Sequence, residues 1–457
     1  MPSPIRLGLI GCGVVGSGLL RLLRQRARDV ESSIGAPIRV SRIAVADPAK
    51  RRDVDLAGVE VGKDAMAVAE AEDVDLLVEL MGGAARSLPP VERALERGLP
   101  VVTANKHLIS LHGAQLESLA ARTGATLRYE ASVGGVIPIL QSLDHTLRTE
   151  RFTLLVGILN GTTNYILSTM EREGRDFAEA LDAARKLGFA EADPSLDLSG
   201  ADTAQKLTIL VRRAFRVPLE HGSIPTEGIV GIELEDLRQA ERFGYVARLL
   251  GIAIRTPAGL DLRVHPAFIP KRYLLAAVRD EFNGVYLRGE AAGSMLLYGK
   301  GAGAAATAQA VLGDVIASAR EWTWRRAARS AETQPAGGGT GAAAKTGAAA
   351  AKGNGVTHAN RLDESDERLP LDEIRSKYYL RLLVEDRPGV LAQVANRLAS
   401  AQVSVAQMFQ EPGVRGEASI TMLTHEARDK DARDAAKAIA ELPTIRKAPR
   451  AVRIFDI

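Results

Sequence analysis

Residues 5–23 read IRLGLIGCGVVGSGLLRLL. A short apolar run, 5–10, enters the glycine string Gly11-Cys12-Gly13-Val14-Val15-Gly16, and an amphipathic stretch, 19–28, leaves it. Glycines spaced G-x-G-x-x-G between a strand and a helix divide the work. The first permits a tight turn, the second lets the backbone approach a pyrophosphate, and the third lets the helix pack closely on the strand. The amides at Val14 and Val15, at the start of the helix, would meet the anion. Taken alone, such a string is also a ligand-free turn, so its meaning rests on what surrounds it.

Downstream, the pattern repeats. Apolar runs at 38–46, 74–80, 100–103 and 127–130 alternate with amphipathic stretches. That alternation predicts an α/β fold, a Rossmann-like, doubly wound parallel sheet over residues 1–130. Four flanking strands move the glycine string away from an isolated turn and toward a dinucleotide site. The second run ends near Asp47, where a carboxylate can accept a ribose hydroxyl of NAD. Lys50, Arg51 and Arg52 follow and can instead meet the 2′-phosphate of NADP, so both cofactors stay open.

Composition narrows the remaining classes. With 457 residues, 46% of them hydrophobic, several domain cores are expected. The net charge of +3 does not call for an anionic polymer, and nucleic acid is not an expected partner. Cys12 is the one cysteine, which excludes an internal disulfide and a thiolate metal cage built from one chain. No run of about 18 uncharged apolar residues occurs, and Met1-Pro2-Ser3-Pro4 leads straight into the first strand. No membrane span is expected, and a cytoplasmic location is.

Between 131 and 302 the pattern turns mixed. Strands are predicted at 151–159, 260–268, 285–288 and 295–298, with helices at 177–187, 201–215 and 234–250. This reads as an α+β domain. Gly299-Lys300-Gly301-Ala302-Gly303 then opens an alanine-rich helix, and residues 303–325 are expected to complete the first domain.

Four separated motifs carry the chemistry: VVTANKHLI (101–109), YEASVGGVIPI (129–139), GILNGTTNYIL (157–167) and GFAEADPSLDLSGADTAQKLTIL (188–210). In this order they resemble the homoserine dehydrogenase family. The resemblance implies reversible hydride transfer between NAD(P)H and L-aspartate 4-semialdehyde, yielding L-homoserine for threonine, methionine and isoleucine biosynthesis. It also implies a single-activity enzyme and a homodimer or higher homo-oligomer through the middle, catalytic domain.

Reduction of an aldehyde builds negative charge on its oxygen, so a positioned acid or cation is needed there. By resemblance, Lys206 is the proton donor and Lys106 a second active-site lysine near cofactor and substrate. Asp202 and Lys206 stand four apart in a helical pattern, on one face; without the resemblance this spacing reads as a surface ion pair. Gly188, Glu191 and Asp202 match the family's hold on the amino acid, where carboxylates suit an α-ammonium group. Thr162 is an expected substrate contact: it belongs to a small, hydrogen-bonding stretch ahead of a helix, Asn160-Gly161-Thr162-Thr163-Asn164, consistent with backbone approach to the substrate and also with an ordinary helix cap. Phe189 stands where the family also uses tyrosine, so a hydroxyl contact is not expected from it. Glu130, Val133, Gly135 and Ile137 match a monovalent cation loop, with a carboxylate and backbone carbonyls as hard ligands for a structural Na+. Gly303 marks the chain's return to the cofactor.

Residues 334–355, QPAGGGTGAAAKTGAAAAKGNG, lack large apolar anchors, and 328–376 is read as a flexible low-complexity linker. Beyond it, LRLLVEDRPGVLAQVANRLASAQVSVAQM (380–408) resembles an ACT domain, a βαββαβ module that often binds amino acids; its extent is 377–457. Asp386, Gly389 and Val390 lie in its first strand-to-helix turn, the expected regulatory site, and L-threonine is the expected inhibitor. Two other readings remain. One is a different NAD(P)-dependent dehydrogenase of an amino-acid aldehyde or ketone. The other is a nucleotide-binding and amino-acid-sensing protein without turnover, against which Lys106, Glu191, Asp202 and Lys206 together argue.

Overall fold

The computed structural model describes residues 3–332, 367–413 and 416–456, so the centre of the expected linker lies outside the described residues. The chain forms two compact units. One takes the chain through Arg148 and the segment that begins at Ala302; the other takes Thr149–Gly301 and the described chain after residue 366.

In the first unit six strands form a parallel sheet: β1 (Ile5–Ile10), β2 (Ile38–Ala44), β3 (Glu60–Gly62), β4 (Leu76–Glu79), β5 (Val101–Thr103) and β6 (Leu127–Arg128). Their order is β3-β2-β1-β4-β5-β6. The chain winds outward from β1 in one direction and then crosses to β4 to wind in the other. The glycine string therefore sits at the carboxyl end of β1, the switch point where such sheets bind ligands. Leu7 stands level with Val40 and Leu76 on its two neighbours. The helix Ala304–Glu332 returns to this unit, where Val311, Leu312, Val315 and Ala319 share a core with Leu7, Leu9 and Leu19.

The second unit is built on a largely antiparallel sheet. Its strands are β7 (Phe152–Ile158), β8 (Tyr245–Thr256), β9 (Gly259–Pro270), β10 (Phe282–Gly289), β11 (Gly293–Lys300), β12 (Arg375–Glu385), β13 (Val405–Pro412), β14 (Glu417–Thr424), β15 (Ala427–Arg428) and β16 (Ile445–Ile454). The order runs β11-β10-β7-β8-β9-β16-β12-β14-β13, with β15 paired to β12. The last four strands of that path, with helices Val390–Ser400 and Asp429–Ala440, are the βαββαβ module. One parallel contact joins it to the middle domain: Arg453 and Ile454 of β16 pair with Ala267 and Phe268 of β9. The Phe455 amide donates to the Phe268 carbonyl at 2.9 Å, and the Phe268 and Tyr379 rings meet edge to face at 5.0 Å.

Several boundaries differ from the sequence expectation. The helix expected over 234–250 stops at Arg242; Gly244 turns the chain at φ 81°, and 245–256 is strand β8. β8 is buried on both faces over most of its length, so it lacks the two-residue alternation that would mark a strand. β6 ends at Arg128, and Glu130–Ser132 forms a 3-10 turn. Residues 131–148 belong with the parallel sheet, not with the middle domain. The expected linker also narrows: the preceding helix extends to Glu332, the Leu260 amide donates to the Glu367 carbonyl, and Leu371–Glu373 forms a 3-10 turn before β12.

Candidate active site

The glycine string makes the turn its spacing requires. Gly11 adopts φ 92° and its amide donates to the Ala44 carbonyl at 2.8 Å; an added Cβ would lie 2.7 Å from the Leu80 carbonyl oxygen. At Gly16 an added Cβ would lie 2.6 Å from the Gly11 carbonyl oxygen. Gly13 differs, since nothing lies within 4 Å of its missing Cβ. It caps the helix Val14–Gln25 without any side-chain bond, leaving the first amides of that helix to an anion. Val14 is exposed and Val15 half-buried. This cradle fits a pyrophosphate. Cys12 is buried within the turn, its Sγ 3.7 Å from Ser17 Oγ.

Arg52 clamps the loop, donating to the Cys12 carbonyl at 3.1 Å and to the Asp47 carbonyl at 2.9 Å. The exposed Asp47 carboxylate accepts from the Ala49 amide at 3.0 Å. Next to it, Arg21, Arg24, Arg51 and Arg52 line a cleft of about 730 Å³. Asp53 and Asp55 offset part of that positive charge.

Lys106 begins the helix Lys106–Thr123, half-buried behind the N-cap Asn105. Asn105 Oδ1 accepts from the Leu108 amide, while its Nδ2 donates to the Gly83 carbonyl and to Ser87 Oγ. Ser87 and Thr103 both donate to the buried Glu79 carboxylate, at 2.8 and 2.6 Å. Burial pushes the Glu79 carboxyl up, against these hydrogen bonds. A polar knot across β4, β5 and two helices thus fixes where Lys106 starts. Gly303, at φ 114°, precedes the returning helix of the same unit.

The second lysine has tighter surroundings. Helix Ala201–Ala214 places Asp202 and Lys206 one turn apart, and both side chains are buried. Lys206 Nζ donates to Asp202 Oδ2 and to the Leu159 carbonyl, each at 2.7 Å. The carboxamide of Asn160 donates to Asp202 Oδ2 at 2.8 Å and to Asp197 Oδ1 at 2.7 Å. Thr162 Oγ1 donates to the Phe189 carbonyl at 2.6 Å, which ties the turn after helix Phe177–Lys186 to the start of helix Gly161–Glu173. Gly188, at φ 77°, and Glu191 lie exposed on that turn. The Phe189 ring packs on Tyr165 at 5.0 Å.

The loop expected to hold a cation is organised around Glu130. Glu130 is buried, and its two carboxylate oxygens accept the Leu140 and Gln141 amides at 2.9 and 2.7 Å. The carboxylate therefore caps a helix, the Ser132 hydroxyl donates to the Tyr129 carbonyl at 2.6 Å, and the loop also carries the backbone carbonyls of Val133, Gly135 and Ile137. Burial pushes the Glu130 carboxyl up to about 7, and Asp314 and Asp144 add to the rise. Among the described residues no group of three or more His, Cys, Asp or Glu side chains is arranged to hold a metal.

In the terminal module, Asp386 and Gly389 are exposed on the turn after β12, and Val390 is buried at the head of its helix. Gly389 adopts φ 89° at the N-cap, and the Asp386 amide donates to the Gly416 carbonyl at 2.8 Å.

Three family profiles match in chain order: the homoserine dehydrogenase NAD binding domain over residues 11–130, homoserine dehydrogenase over 138–316, and the ACT domain over 378–444. The homoserine dehydrogenase of Neisseria gonorrhoeae is 36% identical over 458 residues, covering 100% of this chain and 99% of its own. The chain belongs to the homoserine dehydrogenase family. It is an NAD(P)-dependent oxidoreductase with a C-terminal ACT domain. The enzyme from Bacillus subtilis is 32% identical over 98% of both chains. Among solved structures, the homoserine dehydrogenase of Thiobacillus denitrificans superposes with a TM-score of 0.86 at 36% identity, covering 99% of each chain. That of S. aureus superposes at 0.73 and 26% identity.

Two residues that the structure brings to the Asp202–Lys206 pair were not singled out in the sequence. Asn160 was legible as one member of a small hydrogen-bonding stretch, suited to a helix cap or to approach of the substrate, and Asp197 stood unmarked in a motif rich in carboxylates. Both signals were present as residue types. What identifies them is a bond spanning 37 residues, which no local spacing encodes.

Proposed function

We propose that this enzyme interconverts L-aspartate 4-semialdehyde and L-homoserine, with Lys206 holding and moving the proton at the oxygen that alternates between carbonyl and hydroxyl. The observation that carries this reading is the buried Lys206–Asp202 pair at 2.7 Å. An ammonium has three hydrogens, and two are directed at Asp202 and Leu159. The third is the one assigned to substrate. Asp202 keeps a negative charge beside the lysine, which favours the protonated amine when a carbonyl oxygen needs a donor. Glu191 and Asp202 provide acidic surroundings for the substrate's ammonium group. Thr162 has its hydroxyl hydrogen on Phe189, so it offers substrate only acceptor lone pairs. Gly188 leaves room for the close approach of the amino acid.

A nicotinamide cofactor, when bound, supplies or accepts the hydride. Residues Gly11, Gly13 and Gly16 and the amides of Val14 and Val15 would hold its pyrophosphate, with Lys106 and Gly303 toward the nicotinamide. Asp47 and Arg51 are assigned to the ribose end of the cofactor. The arginine-lined cleft beside them supports acceptance of NADP. A monovalent cation is assigned to Glu130 and the carbonyls of Val133, Gly135 and Ile137, a donor set of hard oxygens. We assign amino-acid feedback, with L-threonine as effector, to the turn containing Asp386, Gly389 and Val390. Self-association is assigned to the middle domain, where β11 pairs on one side only among the described residues.

The deciding experiment follows NADPH and NADH formation with L-homoserine, beside a Lys206→Ala variant. Turnover with at least one cofactor and its loss in the variant are expected. No turnover with either cofactor overturns the reading, and an unimpaired variant removes Lys206 from its role. L-threonine should change the activity or the melting temperature of the intact enzyme; no effect on either removes the feedback assignment.

A further inference from the structure

Asn160 is the last residue before the helix Gly161–Glu173, and its side chain is almost completely buried. Its orientation is settled by chemistry. The Thr163 amide can only donate, and it does so to Asn160 Oδ1 at 2.8 Å, so the amide nitrogen must point the other way. There Nδ2 has two hydrogens and two carboxylates to receive them, Asp197 Oδ1 at 2.7 Å and Asp202 Oδ2 at 2.8 Å. Thr163 Oγ1, 3.0 Å from Asn160 Oδ1, braces the oxygen end. Asp202 Oδ2 is also the oxygen that receives Lys206 Nζ.

Resting on the function proposed above, we propose that Asn160 is a positioning residue that sets both the placement and the ionisation of the Asp202–Lys206 pair. A buried ammonium and carboxylate can become neutral by passing one proton between them, because burial penalises both charges. A second hydrogen donated to the same carboxylate oxygen favours the ionised form, which leaves the proton on the amine. Asn160 supplies that hydrogen. Its other hydrogen fixes Asp197 beside Asp202, so two like charges share a neutral donor and do not repel across an empty gap. A serine can cap the helix as well as asparagine does, so capping does not require this residue type. Bridging two carboxylates does require two N–H bonds on one short side chain.

The test uses the full-length enzyme with two variants. Asn160→Ser retains a capping oxygen and replaces the two N–H donors with a single hydroxyl on a shorter side chain, which cannot bridge both carboxylates. We expect kcat/KM for reduction of L-aspartate 4-semialdehyde, the direction in which Lys206 donates, to fall roughly 10- to 100-fold, as for loss of hydrogen bonds to charged groups. The acid limb of its pH profile should move to higher pH, while KM for the nicotinamide cofactor stays unchanged. Asn160→Asp retains size and cap but adds a third carboxyl. It should be weak at neutral pH and regain activity on acidification, when the added group becomes a donor, opposite in direction to the serine variant. Unchanged kcat/KM and pH limb in Asn160→Ser overturns the proposal, as does wild-type activity of Asn160→Asp throughout the pH range. If the serine variant does not fold, the aspartate variant decides alone, with recovery on acidification supporting the role and its absence overturning it. Wild-type turnover of homoserine, measured alongside, separates failure of this proposal from failure of the assigned reaction.

Discussion

Lys206 Nζ and Asp202 Oδ2 lie 2.7 Å apart on one face of a buried helix, with the lysine side chain 11% and the aspartate 3% exposed. On a surface helix the same spacing would contribute a few tenths of a kcal/mol and would be screened by salt. Here water is largely excluded from both groups. Lys206→Met is expected to lower kcat by roughly 10²- to 10⁴-fold, the range for loss of a positioned acid. It should also reduce stability by about 3–5 kcal/mol, because Asp202 is left buried without its cation. Adding Asp202→Asn should restore much of the stability and none of the activity. Denaturant unfolding and steady-state rates on the two single variants and the double variant check this separation.

Gly13 and Gly16 answer to different demands. Gly13→Ala places a methyl group in open space, so the unfolding midpoint should hold while KM for the cofactor rises severalfold. Gly16→Ala drives a methyl group into the Gly11 carbonyl and should cost about 1–3 kcal/mol of stability even without cofactor. Thermal unfolding without cofactor, paired with cofactor titration, distinguishes the two.

His265 lies wholly inside the second unit, with Nδ1 3.0 Å from the Pro266 carbonyl. Burial, and then the positive charges of Arg453 and Arg263, hold its imidazole well below the ordinary value. Asp261 and Asp429 also border these arginines. In the unfolded chain the ring takes a proton below about pH 6.5, while in the folded chain it stays neutral. Stability should therefore fall as pH drops through that value, by at most about 1.4 kcal/mol per pH unit from this residue. His265→Gln should flatten the slope of unfolding free energy between pH 7.5 and 5.5; an unchanged slope removes His265 as the cause.

Arg453 joins three elements. Its guanidinium contacts Asp429 at 2.6 Å and Glu227 at 2.8 Å, and the side chain is 8% exposed. Arg453→Met should destabilise the protein by about 3 kcal/mol, because Asp429 retains Arg433 and Tyr378 as partial compensation. Calorimetry should show a single lower transition for the second unit; a separate early transition of the ACT strands alone would contradict the continuity of the sheet.

The parallel sheet was legible because its strands are short, apolar and punctuated by glycines at turns that only glycine tolerates, as at Gly11. β8 was not, because burial on both faces erased its alternation. In the candidate site, Lys206 and Asp202 could be paired by helical periodicity, and Thr162 and Gly188 by motif. The Asn160 bridge to Asp197 and the support of Asn105 by Glu79 arise only when distant segments meet. The Glu130 carboxylate was legible by type and not by direction; the structure turns it toward two helix amides.

The pairing of β16 with β9 has a consequence for how this architecture can be varied. The ACT module has its tether at one end, yet its final strand is hydrogen-bonded into the middle domain at Arg453 and Ile454. Such a module is not an interchangeable cassette. A chimaera that imports a foreign sensor must also import a last strand matched in register and side chains to β9, and a truncation that trims the last dozen residues exposes an edge of the middle sheet. Sensor and catalyst would then be constrained to diverge together along that seam.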